Sequence, residues 1–325
     1  MADSSNNNDI FPVTVHRYPG TRKPCAFEHT TTTASPSPPP TGGAQAQTQA
    51  PRNALVFIGG LGDGPPAAVP YARAIAAKLA AAGGGSTYSL FEARLSTAFT
   101  AFGYGSLAQD VAELAALVAY LRASLKKERV VLLGHSTGCQ DCLAYAAASG
   151  SDGSGGVVGD VDGFILQGPV SDREAVAMDV SAADLARSAE CAAAMIARGG
   201  KDDAMPRDLL PEGFRAAPVT AYRWFSLVGV GGDDDFFSSD LPDDKVAAIW
   251  GGLRQPVLIA PSAEDEFVAG HIDVPQLVDK WKKACAPGIA SDLSGLIPGA
   301  NHSVDSPDAQ EWLADRVVRF LAALG

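Results

Sequence analysis

Ser136 lies at the centre of Gly134-His135-Ser136-Thr137-Gly138, directly after the apolar run Val130 to Leu133 and before a stretch that reads as a helix to about Ala148. A serine hydroxyl is a weak nucleophile at neutral pH, so this position carries chemistry only with a base to take its proton and an acid to orient that base. Both residue types follow in the chain. Asp265 sits in Glu264-Asp265-Glu266-Phe267-Val268 after the apolar segment Pro256 to Ala260, and His302 sits in Gly299-Ala300-Asn301-His302-Ser303 after another short apolar segment. Its place after the strand candidate and the Phe267-Val268 that follows favour Asp265 over Glu264 and Glu266 as the acid. Acyl transfer is the chemistry this trio performs, with Ser136 as nucleophile, His302 as general base and Asp265 behind it.

Acyl transfer also needs donors for the developing oxyanion. Ala54 to Ile58 reads as a buried strand ending in Gly59-Gly60-Leu61-Gly62-Asp63-Gly64, a turn that can turn a backbone N–H at Gly60 or Leu61 toward the reacting carbonyl. Thr137, immediately after the serine, supplies the other N–H. The glycine-rich turn lacks the G-x-G-x-x-G order and ribose-binding context of a dinucleotide site.

The residues that could do other chemistry read more plainly. His135 adjoins the nucleophile, but neighbours at a sharp turn point differently, so a buried hydrogen-bonding role is expected. Cys139 and Cys142 have C-x-x-C spacing without a second pair, which reads as packing thiols rather than a redox or zinc site. His16, His29 and His271 form no metal spacing with them. Asp233, Asp234 and Asp235 lack the spacing of a calcium loop and read as structural or solvated acids. No metal and no cofactor is expected.

The elements that must position these residues alternate. A strand pair over Phe11 to Tyr18 and Cys25 to Glu28 comes first, and the later strands fall at Ala54 to Ile58, Thr87 to Phe91, Val130 to Leu133, Phe164 to Leu166, Pro256 to Ala260 and Leu293 to Ile297. Helices fall at Pro70 to Ala82, after Ser106 as N-cap through Leu121, at Val274 to Ala284 and at Ala309 to Leu324. Short continuous apolar strands between helices predict a mostly parallel central sheet. The chain order Ser, Asp, His on that layout is the order of an α/β-hydrolase fold. Residues 171–253 interrupt the alternation with a mostly helical insertion, read as a cap over the pocket, in which Tyr222, Arg223, Trp224 and Phe236 are the weak candidates for substrate contact.

The 325 residues suit one such domain, residues 1–325, with residues 1–10 a flexible tail and the Thr, Pro, Ala and Gln rich residues 30–53 a low-complexity surface excursion. A net charge of −12 disfavours nucleic-acid partners and anionic membrane. The polar, acidic start lacks a secretory segment, and no long charge-free apolar run predicts a membrane span, so a cytoplasmic location is the expectation. Five scattered cysteines do not suggest a disulfide framework.

Three stretches, Phe57 to Gly64, Gly134 to Asp141 and Leu166 to Ala175, together with Gly231 to Leu241, closely resemble an uncharacterised-function α/β-hydrolase family that includes fungal siderophore esterases. The resemblance covers nearly the whole chain outside the N-terminal tail and the Pro/Thr-rich excursion. It implies that Ser136, Asp265 and His302 occupy the nucleophile, acid and base positions, and that the partner is a small-molecule ester of siderophore-like type. The other reading is a catalytically inactive ligand-binding or interaction protein that keeps the fold.

Overall fold

A computed structural model describes residues 11–20, 23–29, 50–66, 69–81, 87–149 and 158–325. The expected tail, most of the low-complexity excursion and most of the turn at Ser151 to Gly159 lie outside the described residues. Asn53, placed at the end of that excursion by composition, is the buried first residue of a strand.

One sheet of seven strands forms the centre. It comprises β1 (Val13–Arg17), β2 (Cys25–His29), β3 (Asn53–Ile58), β4 (Tyr88–Arg94), β5 (Val130–His135), β6 (Gly163–Gln167) and β7 (Val257–Ala260), in the spatial order β1-β2-β4-β3-β5-β6-β7. The first two pairings are antiparallel and the other four parallel. The parallel strands are buried along both faces, which is why the sequence writes them as unbroken Val, Leu, Ile and Phe runs rather than as alternating patterns.

Alternate residues of each strand feed opposite cores. Val56, Ile58, Leu132, Phe164, Leu166 and Ile259 pack with α2 (Leu107–Ala123), α3 (Gly138–Ser149) and the stacked Trp250 and Trp281. Leu55, Phe57, Val131, Leu133, Ile165 and Leu258 pack with α1 (Pro70–Ala81) and the C-terminal helix Pro307–Ala323. Ser106 does cap α2, its hydroxyl accepting from the Gln109 N–H.

Between β6 and β7 lie α4 (Asp172–Asp179), α5 (Ala182–Ala197), α6 (Ala221–Val228) and α7 (Asp243–Trp250). Ser171, Ser181 and Thr220 start the first three, each side chain accepting a first-turn N–H. Ala192, Met205, Leu210, Trp224 and Leu227 give this inserted helical cap a core of its own, while Val246 and Trp250 of α7 pack into the main core beneath. After β7 come α8 (Val274–Ala284) and α9 (Pro307–Ala323).

Residues 293–297 do not form the expected strand. Ile297 makes an isolated parallel bridge to Ser262, and Gly295 N–H donates to the Ile259 carbonyl. Gly295 and Pro298 bracket only Leu296 and Ile297, too short an apolar run to extend the ladder. Among the described residues no helix is long and apolar enough to cross a membrane.

Candidate active site

β5 delivers its last residues into a sharp turn at the C-terminal end of the sheet. Ser136 follows His135 directly with φ +52, a backbone conformation that a residue bearing a Cβ rarely adopts. The bend permits α3 to start at once from Gly138. A Cβ on Gly138 would run into the Ile58 carbonyl, so the glycine lets α3 begin against the end of β3. The Ser136 N–H donates to the Gln167 carbonyl at the end of β6, and the Cys139 N–H to the Ser136 carbonyl. Ser136 is half-buried, directly after the end of β5.

The loops after β7 and before α9 bring Asp265 and His302 together. His302 Nδ1 lies 2.8 and 3.0 Å from the two Asp265 carboxylate oxygens, and both side chains are almost fully buried. The Glu266 carboxylate accepts the His302 backbone N–H at 2.8 Å, and the half-exposed Phe267 ring stands edge-on to the imidazole at 4.7 Å. The Glu-Asp-Glu triplet thus divides its work, with Asp265 on the ring and Glu266 on the backbone.

His135 is buried, with its ring 4.9 Å from that of His302. Gln167 Nε2 donates to the His302 carbonyl and to Ser262 Oγ, both at 3.2 Å, so its Oε1 faces His135 Nδ1 at 2.6 Å. A carbonyl can only accept, which fixes the Gln167 amide and makes His135 Nδ1 the protonated nitrogen. Burial, and then the neighbouring His302, push the His135 imidazole down to about 3, so it is neutral at physiological pH. The hydrogen-bonding role expected of His135 is the one it has.

Across the end of β3, Gly60 lies against Ser136: a Cβ there would come within 2.8 Å of Ser136 Cβ. The two candidate donors in this turn differ. Gly60 N–H is engaged, donating to Asp63 Oδ2 at 2.7 Å, whereas among the described residues Leu61 N–H and Thr137 N–H have no hydrogen-bond partner. Gly60 therefore serves as the close-packing position and Leu61 as the free donor of the pair.

The cap candidates have partners within the cap and core. Trp224 is sealed in the cap core. Arg223 is buried, its Nη1 bound to both Asp234 oxygens at 2.8 and 2.7 Å and its Nε to the Phe102 carbonyl, so it is not free to meet a substrate carboxylate. Tyr222 donates to Asp233, and Phe236 packs partly buried against the main core. The acidic run is likewise structural: Asp234 also accepts from Ser226, and Asp235 from Ser238 and the Gly231 N–H. Cys139 and Cys142 are buried thiols, pushed well up by burial, as packing residues are. Gln167, Glu266 and Asp63 were not singled out as site residues in the sequence. Gln167 stands in one of the resembling stretches, and the only local signal for Glu266 is its place beside Asp265.

Comparison with known proteins gives the family and the fold. The chain is 33% identical to the UPF0613 protein of Schizosaccharomyces pombe over 83% of this chain and 87% of that one. It is 29% identical to the fusarinine C esterase of Aspergillus fumigatus over 96% of each. Among solved structures, the siderophore hydrolase EstB from Aspergillus fumigatus superposes with a TM-score of 0.75 at 27% identity, covering 98% of this chain and 99% of that one. Sheet order, elbow and inserted cap are those of the α/β-hydrolase fold. Residues 7–322 match the family described as protein of unknown function DUF1749, and the chain belongs to that family.

Proposed function

We propose that the protein is a serine hydrolase that cleaves a carboxylic ester through an acyl-enzyme, with a siderophore-like ester as the substrate class. One observation carries the reading: a half-buried serine at positive φ shares the C-terminal edge of the sheet with a buried Asp265–His302 pair hydrogen-bonded at 2.8 Å. The likeness over nearly full length to the fusarinine C esterase and to the siderophore hydrolase supports the substrate class.

In this mechanism Asp265 accepts His302 Nδ1–H, which leaves Nε2 as the base for Ser136 Oγ. Oγ attacks the ester carbonyl carbon as its proton passes to Nε2, and the carbonyl electron pair moves onto oxygen. The N–H groups of Leu61 and Thr137 hold that oxyanion. Collapse of the tetrahedral species breaks the bond to the alcohol, which leaves with the proton from His302. Water then attacks the acyl-enzyme with His302 again as base, releasing the acid and restoring Ser136. The neutral, Gln167-bound His135 stays outside this proton transfer.

Steady-state hydrolysis of p-nitrophenyl acetate and of a ferric fusarinine-type ester tests the reading. Ser136→Ala is expected to lower kcat by roughly 10³-fold or more while the melting temperature stays near that of the native chain. Equal turnover by the two proteins would remove Ser136 from the mechanism.

A further inference from the structure

The turn that faces the nucleophile has a builder the mechanism above does not use. Residues 60–63 close on themselves, the Asp63 N–H donating to the Gly60 carbonyl at 3.1 Å, with Gly62 at φ +82. A positive φ at the third of four residues is the mark of a type II turn, in which Leu61 is the second residue. Asp63 uses all of its polar groups on this small structure. Its N–H closes the turn, its carboxylate takes the Gly60 N–H at 2.7 Å, and its carbonyl accepts from the Phe99 N–H at 2.9 Å, tying the turn to the 3₁₀ segment Phe99–Tyr104. A Cβ on Gly59 would come within 2.9 Å of Asp63 Cβ, so the side chain is packed against the strand end it braces.

Two consequences follow for the donor. The carboxylate occupies the N–H that could compete for the oxyanion, leaving the next N–H, that of Leu61, unpartnered among the described residues. It also fixes the turn relative to Ser136, against which Gly60 packs too tightly to admit a methyl group. Misplacing a catalytic group by about 1 Å is enough to cost roughly 10²-fold in rate.

We infer that Asp63 is the positioning residue of the oxyanion turn: by accepting the Gly60 N–H it selects Leu61 as the donor and holds that donor at the nucleophile. The inference rests on the ester-hydrolase reading and goes beyond it by separating the residue that builds the oxyanion site from the group that touches substrate. Asp63 acts through the turn, which its N–H and carboxylate both close. Its carboxylate stands 4.0 Å from His135 Nε2, beyond hydrogen-bond reach.

The full chain is assayed with p-nitrophenyl acetate and with a trifluoromethyl ketone, which forms a tetrahedral adduct on an activated serine. Asp63→Ala is expected to lower kcat by roughly 10- to 100-fold with KM changed by less than about threefold, and to weaken trifluoromethyl ketone binding by the same factor. Asp63→Asn keeps an oxygen that accepts the Gly60 N–H, and is expected to recover most of that loss. Leu61→Pro deletes the donor at the turn position that proline favours, and is expected to cost roughly 10²- to 10³-fold in kcat beyond the effect of Leu61→Ala. Native kcat in Asp63→Ala overturns the inference, as does an equal loss in Asp63→Asn, which would assign the effect to charge. Should Asp63→Ala not fold, the Asp63→Asn and Leu61→Pro comparisons still decide it. In each of these cases Ser136-dependent turnover by the native chain leaves the hydrolase reading standing, and absence of that turnover overturns both.

Discussion

At the scale of single residues, the site depends on hydrogen bonds that leave one role to each group. Asp265 binds the His302 ring through both oxygens, Glu266 accepts its backbone N–H and Gln167 donates to its carbonyl, so ring and backbone are each held. Asp265→Asn removes the charge that stabilises the imidazolium and favours the wrong tautomer, because an amide can donate to Nδ1. The account predicts a fall of roughly 10⁴-fold in kcat at pH 7, with little change in KM. A loss of less than tenfold would show that Asp265 is not the orienting acid. Ser136, Asp265 and His302 were legible in the sequence because their order and their places after apolar runs are local signals. The engagement of Gly60 N–H by Asp63 was not, since a glycine-rich turn offers several N–H groups and only its closed shape decides which stays free. The pairing of Arg223 with Asp234 was not legible either: residue type alone reads Arg223 as a candidate for substrate contact, and only the folded cap shows its guanidinium taken up by Asp234.

At the scale of elements, the cap meets the core over a buried charged cluster. Arg223 of α6 pairs with Asp234 and also attracts Asp110 of α2, Asp141 of α3 and Asp172 at the start of α4. Asp110 accepts from Thr97 and Asp172 from Gln140, while Asp141 Oδ1 has no hydrogen-bond partner among the described residues. Burial, followed by the Asp234 charge, pushes the Asp172 carboxyl up to about 8, and burial pushes Asp110 up to about 7. Removing Arg223 strands Asp234 without its cation, so Arg223→Ala is expected to lose about 3–5 kcal/mol of stability in urea unfolding. The sign of the pH dependence follows from linkage. Asp172 ionises near pH 4 when unfolded but keeps its proton when folded, so its contribution is present below about pH 4 and is lost as pH rises to about 8. Asp172→Asn cannot ionise, and between pH 5 and 8.5 its melting temperature should fall less than that of the native chain, by about 2 °C or more. Parallel curves would mean that Asp172 is not held protonated. The sequence announced the inserted helices but not this cluster, because its members come from separate elements and meet only once the cap closes on α2 and α3.

At the scale of the whole molecule, the fold gathers residues far apart in the chain at one edge of a sheet. β3 ends in the Gly60–Asp63 turn, β5 in the bend at Ser136, β6 in Gln167, and the loop after β7 carries Asp265. The parallel core was legible because strands buried on both faces must be continuous apolar runs, and helices between them must carry apolar stripes. Leu293 to Ile297 was misread for a related reason: a short apolar stretch does not announce whether a sheet neighbour is available, and here glycine and proline limit it to a bridge. On the proposed mechanism this edge activates one serine, Ser136. Intact-mass spectrometry of the full chain after reaction with a fluorophosphonate tests it most directly. A single adduct is expected to form rapidly on the native chain and to be absent from Ser136→Ala; a folded native chain that gains no adduct, or an adduct that persists in Ser136→Ala, would overturn the serine mechanism.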